Sequence, residues 1–227
     1  MVRDLRPEAV SLSVRELFGD PAQYREGAAF LNWLNREQVL VQSIVYDTPD
    51  ERLLRSLVAG GIIPDPPRWT LYVLGRYSQP RAAHPRDLLE LPPVTAARPE
   101  PWAVCAFGPG EAACGLAAVT LGGHVRLGFE NNLQTPDGQL ARSNARQVER
   151  FRDALRALSI EPMTADELRH AWQGQGLDPG PLRAAPFQRH RHLRLLVSRT
   201  GPRASHRRRR RETARGSRAA PAGSAIK

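Results

Sequence analysis

Short runs of branched and aromatic residues alternate along the chain with longer stretches whose apolar side chains recur every three or four positions. That rhythm predicts β-strands interleaved with helices. The strand candidates are AVSLSV (9–14), VLVQSIVYD (39–47), WTLYVLG (69–75), WAVCAFG (102–108) and HVRLGFEN (124–131). Between them, GAAFLNWLNRE (27–37) places Phe30, Leu31 and Leu34 on one helical face. TPDERLLRSLVAGG offers Thr48 or Asp50 as a helix cap and Gly60-Gly61 as a stop. HPRDLLELPP predicts a short helix ended by Pro92 and Pro93, with His84 as a cap or surface residue, and EAACGLAAVTLGG predicts a helix of small residues. A helix over about 143–158 precedes TADELRHAWQ, where Thr164 and Glu167 form a capping box.

Strand–helix units of roughly 25–35 residues imply parallel strands joined by right-handed crossovers, hence an α/β barrel or an open doubly wound sheet. An eight-stranded barrel takes about 250 residues. Only the stretch 1–182 keeps this patterning, so a barrel reading makes the fold an incomplete (β/α)8 TIM-barrel type, with 9–14 as the fourth strand and the chain running to about the eighth. Beyond it the apolar period dissolves. Residues 183–227 contain 14 Arg and Lys against one acid, Glu212, so the net charge of +10 divides into a mildly acidic body and a strongly basic end. Low hydrophobicity and dense like charge predict a disordered tail. An arginine arm can neutralise phosphates or an anionic membrane. It can equally be a solvated terminus, and the lack of any aromatic residue after Phe187 removes base stacking.

With 41% hydrophobic residues and 25% charged, the chain can bury a sizeable core. No run approaches the roughly 20 apolar residues of a membrane span, and MVRDLRPEAV lacks a signal peptide's apolar centre. Cys105 and Cys114 are too few for a disulfide framework and read as small buried hydrophobes. The expectation is a cytoplasmic protein.

Candidate chemistry concentrates in LGGHVRLGFENN (121–132). Parallel α/β proteins gather ligands at the carboxyl ends of their strands, where Glu130, Asn131 and Asn132 fall. Arg126 precedes Glu130 by four residues, so strand alternation puts both on one face. Burying that pair is costly unless the two bind a ligand or each other; a structural ion pair accounts for the spacing equally well.

The segment does not stand alone. PWAVCAFG, a small-residue helix, GGHVRLGFENNL, the pattern Gly138, Ala141, Ser143, Asn144 and a closing TADELRHAW follow in order, behind RPEAVSLS, VYD, LVAGGIIPDPP and YVLGR. Over roughly residues 6–172 the sequence resembles the β-keto acid cleavage enzymes, and GGHVR-x-GFEN is the specific string. The resemblance implies a zinc-dependent (β/α)8 barrel that condenses a β-keto acid with acetyl-CoA, releasing acetoacetate and a new CoA ester, and it suggests a homo-oligomer. It makes Glu130 a zinc ligand, with the metal polarising substrate oxygens. Arg126 becomes the catalytic arginine that neutralises developing negative charge. Ser11 and Ser13 match substrate-contacting positions, although serines flanking one leucine on a short strand also serve as plain surface or turn residues.

The chain departs from the family pattern twice. Asn131 stands where many members carry aspartate, and an amide can orient or hydrogen-bond but not take a proton as a carboxylate does. The family's other zinc ligands form a His-x-His, and no such motif precedes residue 124. His124 opens a strand at the wrong end to reach a metal beside Glu130, His170 falls in the last helix, and His190-Arg191-His192 and His206 lie among arginines that repel a dication. The expectation is a shortened member whose upstream strands carry the His-x-His. A non-catalytic barrel subunit and a protein associated with nucleic acid through Arg207–Arg211 are the other readings.

Overall fold

The computed structural model describes residues 2–63, 69–75, 82–95, 101–172 and 195–197. After α1 (Val2–Leu5) come β1 (Ala9–Ser13), α2 (Val14–Phe18), α3 (Tyr24–Arg36), β2 (Leu40–Val45), α4 (Thr48–Ala59) and β3 (Thr70–Leu74). A 3₁₀ turn at Pro85–Glu90 leads into α5 (Pro92–Thr95), β4 (Trp102–Ala106), α6 (Glu111–Thr120), β5 (His124–Leu127), α7 (Asn144–Ala157), α8 (Ala165–Trp172) and β6 (Leu195–Val197). The strands lie in sequence order, β1-β2-β3-β4-β5-β6, and each neighbouring pair is parallel. Sequential parallel order is what a segment of a (β/α)8 barrel shows, and the fold is mixed α/β as its periodicity predicts.

Alternation along the strands separates two faces. Val45, Tyr72, Leu74, Trp102, Val104, Val125 and Leu127 pack with Leu34 of α3, Leu54 and Leu57 of α4, Cys114 of α6, and Phe151 and Leu155 of α7. On the opposite face Trp69, Leu71, Val73, Ala103 and Cys105 form a second cluster, joined by Ile44, Tyr46, Phe107 and Leu168. All five residues of β3 and all five of β4 are buried, as parallel strands covered on both sides require. The helix α8 belongs to this second face: Leu168 packs there, and Arg169 forks onto Glu8 at 2.8 and 3.3 Å just before β1.

Close approach is concentrated at Gly115. A Cβ there would stand 2.8 Å from the Phe151 ring and 2.9 Å from Val125, so α6, α7 and β5 meet only because the position lacks a side chain. Gly115→Val is expected to cost about 1–3 kcal/mol through overpacking, read as a lower urea midpoint with an unchanged slope.

Several local expectations are corrected. The helix α4 is capped by Asp47, whose carboxylate accepts from the Asp50 N–H, not by Thr48 or Asp50, because the chain leaves β2 two residues early at Val45. The short helix expected before Pro92 is a 3₁₀ helix that ends at Glu90, with Leu91 extended as a residue before proline must be, and Pro92 then opens α5, since proline's missing N–H is harmless in a first turn. His84 is a cap as expected, accepting from the Arg86 N–H at 3.1 Å, and the Thr164–Glu167 capping box forms. Both cysteines are free and buried. No helix among the described residues is long and apolar enough to cross a membrane. Of the basic stretch 183–227, for which disorder was expected, residues 195–197 form β6; the remainder, with His190, His192, His206 and Arg207–Arg211, lies outside the described residues.

Candidate active site

The strand β5 ends at Leu127, so Arg126 and Glu130 do not share a strand as their even spacing suggested. Gly128 breaks it: with φ at +138° the residue turns the chain, and the Gly128 carbonyl accepts from the N–H groups of both Asn131 and Asn132 at 3.0 Å. The turn then folds Glu130 back over the strand end. One guanidinium nitrogen of Arg126, Nη2, donates to Glu130 Oε1 at 3.0 Å and to Asn131 Oδ1 at 3.1 Å. The pairing expected from spacing is therefore present, produced by a turn and not by strand alternation.

The three partners sit in different surroundings. Arg126 is 12% exposed, while Glu130 keeps 45% of its side chain in solvent and Asn131 is buried. The ion pair is thus partly screened, and its contribution to stability is small. Nη2 also lies 3.5 Å from the Cys105 sulfur, which places Arg126 on the second face of the sheet. Burial pushes the Cys105 thiol up to about 11, so it is an inert neighbour. Arg126 Nε is buried without a hydrogen-bond partner, an arrangement that suits an acceptor arriving at that face.

The turn itself is held from α6 and α7. Glu111, at the start of α6, accepts from the Gly128 N–H at 2.9 Å through one oxygen and from Asn132 Nδ2 at 3.0 Å through the other. Asn144, the first residue of α7, accepts from the Phe129 N–H at 2.7 Å, and Gln147 Nε2 donates to the Asn132 carbonyl at 3.0 Å. Burial pushes the Glu111 carboxyl up to about 7, against the opposing pull of its bonds to Asn132 and Gly128.

Ser11 and Ser13 are four strands away, on β1. At an ordinary spacing of about 4.8 Å per strand that is roughly 19 Å along the sheet, less where the sheet curls. The Ser11 hydroxyl donates to Gln42 Oε1 at 2.9 Å, opposite it in register on β2 and facing the same side as Ile44 and Tyr46. Ser13 is buried and caps α2, its oxygen accepting from the Glu16 N–H at 3.4 Å. Beside them stands a cluster absent from the expectations. Arg15 donates through Nε to both oxygens of Asp50, at 2.8 and 2.9 Å, and its Nη2 meets Asp47 at 2.6 Å. The same guanidinium lies 4.9 Å over the Tyr46 ring. No spacing rule links residues 15 and 50; only adjacency of β1 and β2 does. Glu111 was likewise unmarked, since an acid in a helix's first turn ordinarily reads as complementing the dipole.

The zinc implied by the resemblance does not fit the donors present. Glu130 is a single carboxylate engaged with Arg126, and among the described residues no group of three or more His, Cys, Asp or Glu could hold a metal. His124 opens β5 with its ring 4.9 Å from that of Trp69, away from the turn.

A family profile described as beta-keto acid cleavage enzyme matches residues 1–173. A 68-residue stretch is 40% identical to a 3-keto-5-aminohexanoate cleavage enzyme of Fusobacterium nucleatum, covering 30% of this chain and 25% of that protein. The match thus spans a quarter of the relative's length. Matched over more than half its length by the profile, the chain belongs to the beta-keto acid cleavage enzyme family.

Proposed function

We propose that β1 to β5 form the later strands, about the fourth to the eighth, of a (β/α)8 barrel that cleaves a β-keto acid with acetyl-CoA, giving acetoacetate and a new CoA ester. The supporting observation is Arg126, locked at the end of β5 by Glu130 and Asn131 with its Nε buried and unmatched. The enolate of a β-keto acid, formed when a general base accepts the proton from the carbon between its two carbonyl groups, carries negative charge on oxygen. A fixed guanidinium stabilises that charge without reorganising at the moment of reaction. Asn131 takes no proton in this scheme; its oxygen holds Arg126 in position. Ser11 would meet a substrate oxygen from the far side of a curled sheet.

Glu130 would offer one donor to zinc, and the remaining ligands would come from outside the described residues, so no step is assigned to the metal. A cytoplasmic homo-oligomer is the setting we propose. The deciding experiment incubates the chain, with and without added zinc, with acetyl-CoA and a panel of β-keto acids, and follows acetoacetate. Acetoacetate formed in proportion to protein supports the reading. A chain that releases none with any substrate, yet restores cleavage when mixed with a His-x-His-bearing partner, instead favours the barrel-subunit reading.

A further inference from the structure

We propose that Glu111 is the positioning residue of this site: from the start of α6 it grips the turn after β5 at both ends and so sets where Glu130 and Asn131 meet Arg126. This rests on the reading of those three residues as the active site. The two residues it holds, Gly128 and Asn132, bracket the segment 129–131. A third tie comes from the same β4–α6 connection, where the Gly108 N–H donates to the Asn131 carbonyl at 3.3 Å. The α6 end therefore contacts the turn before, within and after the residues that carry the chemistry.

The side chain's chemistry matches that task and little else. Glu111 is 3% exposed, and an apolar residue would occupy a buried helix start at lower cost than a carboxylate. Two donors converge on it, one from each end of the turn, so a single side chain must present two acceptors. Glutamate does; glutamine of the same size presents one acceptor and one donor, leaving an N–H against an N–H. Asn132 is fixed in turn, exchanging bonds with Gln134 at 2.7 and 2.8 Å. The grip thus reaches from α6 into the loop that leads to α7.

The test uses Glu111→Gln in the full chain, with amide hydrogen exchange as the main readout. Expected is a cooperatively folded protein in which amides of residues 128–132 exchange about tenfold faster or more while those of β3 and β4 keep their rates. Unchanged exchange in the turn, or faster exchange spread evenly through the sheet, overturns the proposal. Should Glu111→Gln fail to fold, Asn132→Ala removes one of the two bonds to Glu111 together with the Asn132 bonds to Gln134; faster exchange confined to the turn supports the grip, and an absent response overturns it. Where wild-type turnover is measurable, kcat should fall about tenfold or more with KM little changed, because misplacement and not substrate affinity is altered. Exchange needs no turnover, so a wild-type chain without activity sinks the function proposed above and leaves this grip to be judged separately.

Discussion

Arg126→Ala is expected to lower β-keto acid cleavage by about 10²–10³-fold, the usual loss when a preorganised partner of a developing oxyanion is removed. The arginine is 12% exposed and bonded on its Nη2 side by Glu130 and Asn131. A positive charge in such a place is neither free to move nor fully screened, so its effect on a nearby oxyanion exceeds that of a surface arginine. Arg126→Lys is the sharper control. An ammonium on a flexible stem keeps the charge and can meet the acceptors of Nη2, but it has no counterpart of the buried Nε to offer toward the sheet face. It should recover only part of the lost rate. Initial-rate assays of acetoacetate release give the answer, and thermal unfolding confirms that the variants fold. Equal kcat in wild type and Arg126→Ala would remove the arginine from the chemistry and leave it as a structural ion pair.

The largest effect on stability is expected at the other edge of the sheet. Asp50→Ala should destabilise the fold by about 2–4 kcal/mol, because it strips a half-buried guanidinium of its bidentate partner and the Tyr46 N–H of its acceptor. The Asp50 carboxylate is 4% exposed and Arg15 39%, so water can re-solvate part of the cation and the loss stays below that of a fully buried pair. Burial and charge work against each other here: desolvation pulls the Arg15 pKa down, but the hydrogen bond to Asp50 outweighs it and the net direction is up. Asp47→Ala should cost only about 1 kcal/mol, mostly the lost cap of α4, since that carboxylate is more exposed. Thermal melts separate the two: about 5–15 °C for Asp50→Ala and a few degrees for Asp47→Ala. Matching shifts would mean that Asp50 and Asp47 share the load, contrary to their burial.

Elements set by local chemistry were legible. The apolar period located β1 to β5 and the main helices, and the Thr164–Glu167 box and the His84 cap needed only their near neighbours. Legibility ended where a bond spans distance in sequence. Asp47 as the cap of α4 depended on where β2 stops pairing with β3, and the end of β5 depended on Gly128 adopting a φ that its residue type permits but does not demand. The Arg126–Glu130 contact was expected for a reason that the turn overturned, yet the contact itself stands: on an extended strand the two would share a face about 13 Å apart, and the turn at Gly128 folds Glu130 back onto Arg126.

From residue order alone follow the alternating α/β class, the parallel sheet, the membership suggested by GGHVR-x-GFEN, and the position of the candidate chemistry at a strand's carboxyl end. These rest on periodicity and on contiguous strings, which survive in one dimension. Tertiary structure alone decided that Glu111 holds the turn, that Ser13 caps a helix, that Arg15 is clamped by Asp50, and that a turn at Gly128 and not strand alternation brings Glu130 to Arg126. Each of these depends on which strands lie side by side and which donors are left over once the backbone is paired, and neither is settled until the sheet has formed.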